Sequence, residues 1–283
     1  MVGRILLRDE LLSSDLIAHV MSSHYKSISE IEPVFLSSPS HKRLEPHMPT
    51  TVAQPTNVIF NDVVIVIPAL NEEHGLTKVL AELPVGAKTI VVDNGSDDST
   101  AEVARQAGAD VIVEPRRGYG SACQAGIAAA RHHGAHIIVI LDADYSDDPT
   151  DLIELVTPIH NEEADMVLGE RVTHGQPGSM PTHQRLGNRL ATALIFLMTG
   201  HRYTDMGPFR AIRATALAKL DMKDLNYGWN VEMQMKAIRC GLRVKEVPVH
   251  YRPRVGKSKI SGTITGSIKG GTKILYSTMR YAR

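Results

Sequence analysis

The feature that most constrains this chain is an alternation that begins at Val63. Five short β-branched runs, VVIVI (63–67), TIVVD (89–93), DVIVE (110–114), HIIVILD (136–142) and DMVLG (165–169), are separated by longer stretches of helical character. Runs of Val and Ile with no polar alternation leave no face for solvent, the mark of strands covered on both sides. The segments between them, around 75–83, 98–107, 120–133 and 149–160, are each long enough for a right-handed crossover to a parallel neighbour. The spacing predicts an α/β fold with a mainly parallel central sheet flanked by helices. In such sheets ligands bind beyond the carboxyl ends of the strands, so the residues after each run carry the most information.

The flanks read differently. Residues 1 to about 57 hold one possible amphipathic helix, ELLSSDLIAHVM, followed by SSPSHKRLEPHMPTTVAQPT, rich in Pro, Ser and Thr and poor in core formers. This predicts a variable or disordered N-terminal extension (1–57), a catalytic α/β domain (58–255) and a basic amphipathic C-terminal segment (256–283), with Met48 an alternative start. The N-terminus lacks a signal peptide's apolar core, because Arg8, Asp9, Glu10 and Asp15 interrupt it. The longest apolar run, Leu190 to Thr199, is about half of what spans a bilayer and reads as a buried or interfacial helix. Cys123 and Cys240 show no CxxC spacing, so a cysteine metal site is excluded, Cys123 reads as packing, and a reducing cytoplasm is expected.

The strand ends carry the chemistry. Pro68-Ala69-Leu70-Asn71-Glu72-Glu73 follows the first run, and Asn71 reads most simply as a helix cap. Asp93 closes the second, where a carboxylate needs either a ligand or local backbone donors; Ser96, Asp97 and Asp98 after it read as turn and cap formers. The third leads into Arg116-Arg117-Gly118-Tyr119-Gly120-Ser121, a glycine-rich helix start whose amides and guanidiniums suit a diphosphate, although Gly118, Gly120 and Gly126 do not spell a dinucleotide fingerprint. The fourth ends in Asp142-Ala143-Asp144-Tyr145-Ser146-Asp147-Asp148-Pro149. Asp148-Pro149 reads as a helix start. Asp142 and Asp144 are two like charges at the end of a buried strand, which repel unless a cation lies between them; hard carboxylate oxygens suit Mg²⁺ or Mn²⁺.

Taken in order, PALNEE (68–73), VVDNGSDDST (91–100), RGYGSACQAG (117–126), DADYSDDP (142–149), GER (169–171), RLGNRL (185–190), DMGPFRAIR (205–213) and RPRVGKSK (252–259) resemble the inverting family 2 glycosyltransferases of GT-A fold, particularly the dolichyl- and polyprenyl-phosphate mannosyl- and glucosyltransferases. The resemblance covers about residues 60 to 265. It implies a nucleotide-sugar pocket lined by Pro68, Leu70, Glu72, Asp93 and Arg117, and metal ligation by Asp142 and Asp144, which also face the nucleotide sugar. It further implies that Arg171, Arg185, Arg254, Ser258 and Lys259 meet the donor diphosphate and an acceptor phosphate. Two departures stand out: Ser146 replaces the Gln of DADLQ, which puts a third metal contact in doubt, and Pro208 interrupts the SGFR pattern of the acceptor loop.

The expected reaction moves one hexose from a UDP- or GDP-sugar to a polyprenyl or dolichyl phosphate with inversion. A phosphate acceptor is already anionic, whereas a hydroxyl acceptor needs a base, for which Asp205 and Glu232 are the candidates; Glu232 reads equally well as part of an ordinary packed helix. The alternatives are a glycosyltransferase with a hydroxyl acceptor and, from another class, a sugar-nucleotide nucleotidyltransferase, against which the acidic PALNEE argues. The formal charge of zero hides a polarity: residues 239–283 hold eleven Lys/Arg against Glu246, about +10, and the rest is about −10. In the tail Ile260, Ile264, Ile268, Leu275 and Met279 recur at roughly helical spacing beside Lys269, Lys273 and Arg280, so peripheral contact with an anionic cytoplasmic membrane face is expected. Nucleic acid is not an expected partner, since no recognition motif accompanies the basic charge.

Overall fold

The computed structural model describes residues 60–256, so the expectations for the N-terminal extension and for the tail beyond Gly256, including Ser258 and Lys259, lie outside the described residues. Seven strands form one sheet: β1 (Val63–Ala69), β2 (Lys88–Asp93), β3 (Asp110–Val113), β4 (Ile137–Ile140), β5 (Met166–Glu170), β6 (Arg210–Arg213) and β7 (Val244–Pro248). Their order is β3-β2-β1-β4-β6-β5-β7. All pairings are parallel except those of β6, which runs antiparallel to both β4 and β5. The helices are α1 (Glu73–Glu82), α2 (Thr100–Gln106), α3 (Tyr119–His132), α4 (Leu152–His160) entered through a 3₁₀ turn at Pro149–Asp151, α5 (Thr182–Thr199), α6 (Ala214–Leu220) and α7 (Trp229–Arg239).

The continuous apolar runs do what their composition requires. Val63, Ile65 and Ile67 point into a core layer formed with Leu76 of α1, Ala104 of α2 and Leu152, Leu155 and Ile159 of α4. Val64 and Val66, one residue out of phase, point into the opposite layer, shared with Cys123 and Ile127 of α3, Leu217 of α6 and Trp229 of α7. The period of two thus divides one strand between two cores, each fully buried Val or Ile contributing about 1.5–3 kcal/mol. Small residues let α3 lie close to the sheet: a Cβ on Gly126 would come within 2.3 Å of a Val66 methyl.

Three expectations are revised. β3 is an edge strand paired only with β2, and its residues are half-buried or exposed rather than enclosed. β5 is not the neighbour of β4, because β6 intervenes; RAIR was invisible as a strand because its terminal arginines mask the apolar signal. In α5 only Ala191 and Ile195 are buried, while Leu186, Leu190 and Leu197 are exposed, so this run is not a fully buried helix. Among the described residues no helix is long and apolar enough to cross a membrane.

Candidate active site

The strand order 3-2-1-4 places the topological switch point between β1 and β4, and in sheets of this kind the ligand crevice lies beyond the carboxyl ends of those strands. β1 delivers Pro68, Leu70 and Glu72 to that crevice, β2 delivers Asp93, and β4 delivers Asp142 and Asp144. The loops after β1 and β2 are fastened together: Asn71 N donates to Ser96 Oγ at 2.9 Å, Glu72 N to Thr100 Oγ1 at 2.9 Å, and Asp97 N to Asn71 Oδ1 at 2.7 Å. Asn71 is therefore not a helix cap but a cross-loop clasp, held at a left-handed φ of 52° that asparagine tolerates. Asp93, buried, accepts from Ser96 N at 2.9 Å, so it has one of the local donors its position demands. Asn94, to which sequence reasoning gave no role, joins the second loop to the third by donating to the carbonyls of Glu114 and Arg116 and accepting from Gly118 N at 2.8 Å.

The glycines after β3 have a steric role. A Cβ on Gly118 or Gly120 would meet the Leu225 or Asp224 carbonyl oxygen at 2.1 Å, and Ser121 N donates to Leu225 O at 3.0 Å. The start of α3 is thus built for close approach of the 224–225 backbone. Arg117 remains exposed, its guanidinium over Gly95 with Nε 3.2 Å from where a Cβ would stand, beside the loop after β2.

At the end of β4 each aspartate of the Asp142-Ala143-Asp144 turn has one oxygen held by a hydroxyl. Tyr119 Oη donates to Asp142 Oδ1 at 3.1 Å, and Ser146 Oγ to Asp144 Oδ1 at 2.5 Å, supported by Ser146 N at 3.0 Å. Ser146, in the position where the resembled pattern has Gln, orients Asp144. Burial first, and the neighbouring Asp144 charge second, push the Asp142 carboxyl up to about 7. Behind them Asp147 is buried with neither carboxylate oxygen in good hydrogen-bond geometry, and burial followed by the Asp142 charge raises it well above the carboxylate range. Gly75 at the start of α1 makes room for this turn, since a Cβ there would lie 2.6 Å from Ala143 O.

A C-terminal strap crosses the turn. Arg252 N donates to Ser146 O at 2.7 Å and Val255 N to Asp144 O at 2.9 Å. Arg254 bridges Glu72 Oε1 at 2.9 Å and Asp144 Oδ2 at 3.2 Å, linking the ends of β1 and β4. Arg252 pairs with Glu82 at 2.9 Å and with Asp148, and lies 4.4 Å from the Tyr145 ring centroid. Asp148 also accepts from Thr150 N at 3.0 Å, ahead of Pro149 at the first turn, as a helix start requires.

On the other side Arg171 and Asp205 form a buried fork: Nε to Oδ2 at 2.7 Å and Nη2 to Oδ1 at 2.8 Å, with Arg171 N on Oδ2 at 2.9 Å and Met206 N on Oδ1 at 2.7 Å. Burial works to raise the Asp205 carboxyl, but the Arg171 charge and its hydrogen bonds more than offset it and hold it below the usual range. Glu232 is wholly buried, accepts from Lys223 N at 2.8 Å and Asp224 N at 2.6 Å, and pairs with Lys236 at 2.6 Å. That places its carboxylate in the service of the 223–224 backbone, the packed-helix reading. Arg185 is exposed on α5.

The glycosyl transferase family 2 model matches residues 64–221, more than half of the chain. The chain is a family 2 glycosyltransferase. It is 43% identical over 211 residues to an uncharacterized glycosyltransferase of Mycobacterium tuberculosis, covering 73% of this chain and 93% of the relative. It is 31% identical to the dolichyl-phosphate hexose transferase of Haloferax volcanii, covering 76% and 93%. In three dimensions it is similar to the Mycobacterium tuberculosis glucosyl-3-phosphoglycerate synthase solved with Mn²⁺, UDP and glucosyl-3-phosphoglycerate, at TM-score 0.66, 20% identity and coverage of 84% and 86%. The fold is accordingly GT-A, and family membership overturns the nucleotidyltransferase alternative. Within this glycosyltransferase, among the described residues, no group of three or more His, Cys, Asp or Glu side chains converges on a metal position. Asp142 and Asp144 supply an all-oxygen pair, a donor set that fits a hard divalent ion completed by water and phosphate oxygens.

Proposed function

We propose that the chain transfers a hexose from a UDP- or GDP-sugar to a polyprenyl phosphate, inverting the anomeric carbon. The observation that carries this reading is the state of the two candidate bases. Asp205 is forked onto Arg171 with its proton affinity lowered, and Glu232 is buried under backbone amides. A hydroxyl acceptor needs a carboxylate free to take its proton, whereas a phosphate acceptor attacks as an anion. The name of the dolichyl-phosphate relative supports the same acceptor class.

On this reading Pro68, Leu70, Glu72, Asp93 and Arg117 receive the nucleotide, and Asp142 and Asp144 would hold Mg²⁺ or Mn²⁺. When bound, the ion neutralises charge developing on the departing nucleoside diphosphate. Arg254, already on the Asp144 side of the crevice, supplies a mobile positive charge for the donor diphosphate, exchanging its ion pairs for phosphate oxygens. Arg171 keeps the Asp205–Pro208 loop in place and lends its charge to the acceptor side; Arg185, Ser258 and Lys259 complete that side. The basic tail brings the site to a membrane carrying the lipid.

The test is release of nucleoside diphosphate from a panel of nucleotide sugars, with polyprenyl phosphate and the corresponding polyprenol compared as acceptors. Stimulation by the phosphate alone is expected. Equal or greater stimulation by the alcohol would return the reading to a hydroxyl acceptor and a general base.

A further inference from the structure

Around the end of β4 lie buried polar residues that neither the nucleotide pocket nor the acceptor side uses. Tyr119 opens α3, and its hydroxyl donates to Asp142 Oδ1 at 3.1 Å. Arg210 opens β6 in register with Ile140, two residues before Asp142. Its side chain is wholly buried, with Nε donating to Pro208 O at 3.0 Å, Nη2 donating to Gly207 O, and Nη1 without a partner. Tyr119, Cys123, Tyr203 and Asp142 act on its charge. Asp142 is the carboxylate among these.

We propose that Tyr119 is a positioning residue of the cation site: by holding Asp142 Oδ1 it sets the carboxylate's rotation, so that the other oxygen is presented to a divalent ion. The inference rests on Asp142 being a ligand, as in the function proposed above. It pairs with what Ser146 does for Asp144, where a hydroxyl also takes Oδ1. A carboxylate free to rotate loses entropy on binding an ion, and groups that orient metal ligands are typically worth about 10- to 100-fold in metal affinity. Tyr119→Phe removes only the hydroxyl and keeps the ring.

The experiment measures Mn²⁺ affinity of the full chain in the presence of UDP, by the electron paramagnetic resonance signal of free Mn²⁺. It also follows the melting temperature across a Mn²⁺ titration. The expected result for Tyr119→Phe is about 10-fold weaker Mn²⁺ binding, with the Mn²⁺ concentration at which stabilisation sets in rising by the same factor. A purely structural role would lower the melting temperature at every Mn²⁺ concentration and leave that concentration where it was, and that outcome overturns the proposal. So does an affinity within about 2-fold of the parent. A parent chain that itself shows no Mn²⁺ response with UDP present overturns the cation site as well, which separates the two claims.

Discussion

At the scale of single residues the site is a set of carboxylates with different duties, and substitution distinguishes them. Asp144→Ala removes a proposed cation ligand and one partner of Arg254, so turnover of nucleotide sugar should fall by at least about 100-fold with little change in folding; undiminished turnover would sink the metal assignment. Asp205→Ala should behave in the opposite way. It strands the buried Arg171 guanidinium, and denaturant unfolding should report a loss of about 3–5 kcal/mol, with activity following the folded fraction. A stable Asp205→Ala protein with turnover reduced a thousandfold would instead identify Asp205 as a base. The strand-end aspartates were legible in sequence because a charge at the end of a Val/Ile run has no structural excuse. Arg210 was not, since an arginine at a strand start reads as a surface residue, and only the register with β4, opposite Ile140, shows it to be buried in the sheet. Glu232 was legible as an alternative, and its amide partners, nine and eight residues away, are consistent with packing.

At the scale of elements, close approach of backbone does much of the positioning. Gly118→Ala and Gly120→Ala each drive a Cβ into a carbonyl of the 224–225 loop, and each should cost about 1–3 kcal/mol by denaturant unfolding. A neutral result would mean that this loop is not seated on α3. The strand pair at the far edge has its own fastening: Arg243 binds Asp165 through its backbone amide and its guanidinium, joining the entrances of β7 and β5. The hydrogen bonds from Arg243 hold the Asp165 carboxyl down at about 2. Because the folded value lies below the unfolded one of about 3.9, this stabilisation is complete above that pH and fades as pH falls toward about 2. Asp165→Asn should therefore flatten the stability profile between pH 4 and 2, and an unchanged slope would count against the pair. The five runs and four helical segments were legible from periodicity; β6 and the edge position of β3 were not, because strand order is a tertiary property that no local pattern encodes.

At the scale of the whole molecule, the balanced charge conceals a division. Glu72, Asp93, Asp142 and Asp144 lie at or follow the carboxyl ends of β1, β2 and β4, while the excess of Lys and Arg gathers from Arg239 onward. Reversing Lys269, Lys273 and Arg280 to Glu in the full chain should weaken co-sedimentation with anionic vesicles, each charge near the surface being worth about 1 kcal/mol; unchanged binding would remove the tail from the account. The domain's chemistry was readable because its motifs sit at strand ends in a fixed order, whereas the acceptor had to be argued from two carboxylates whose availability depends on partners far away in sequence. The most direct test incubates the purified chain with Mg²⁺ or Mn²⁺, labelled UDP- and GDP-sugars and polyprenyl phosphate, and follows label into butanol. The account predicts a butanol-extractable labelled lipid that forms with polyprenyl phosphate and is lost with Asp144→Ala. Label passing to polyprenol or another hydroxyl acceptor, and none to polyprenyl phosphate, would contradict it.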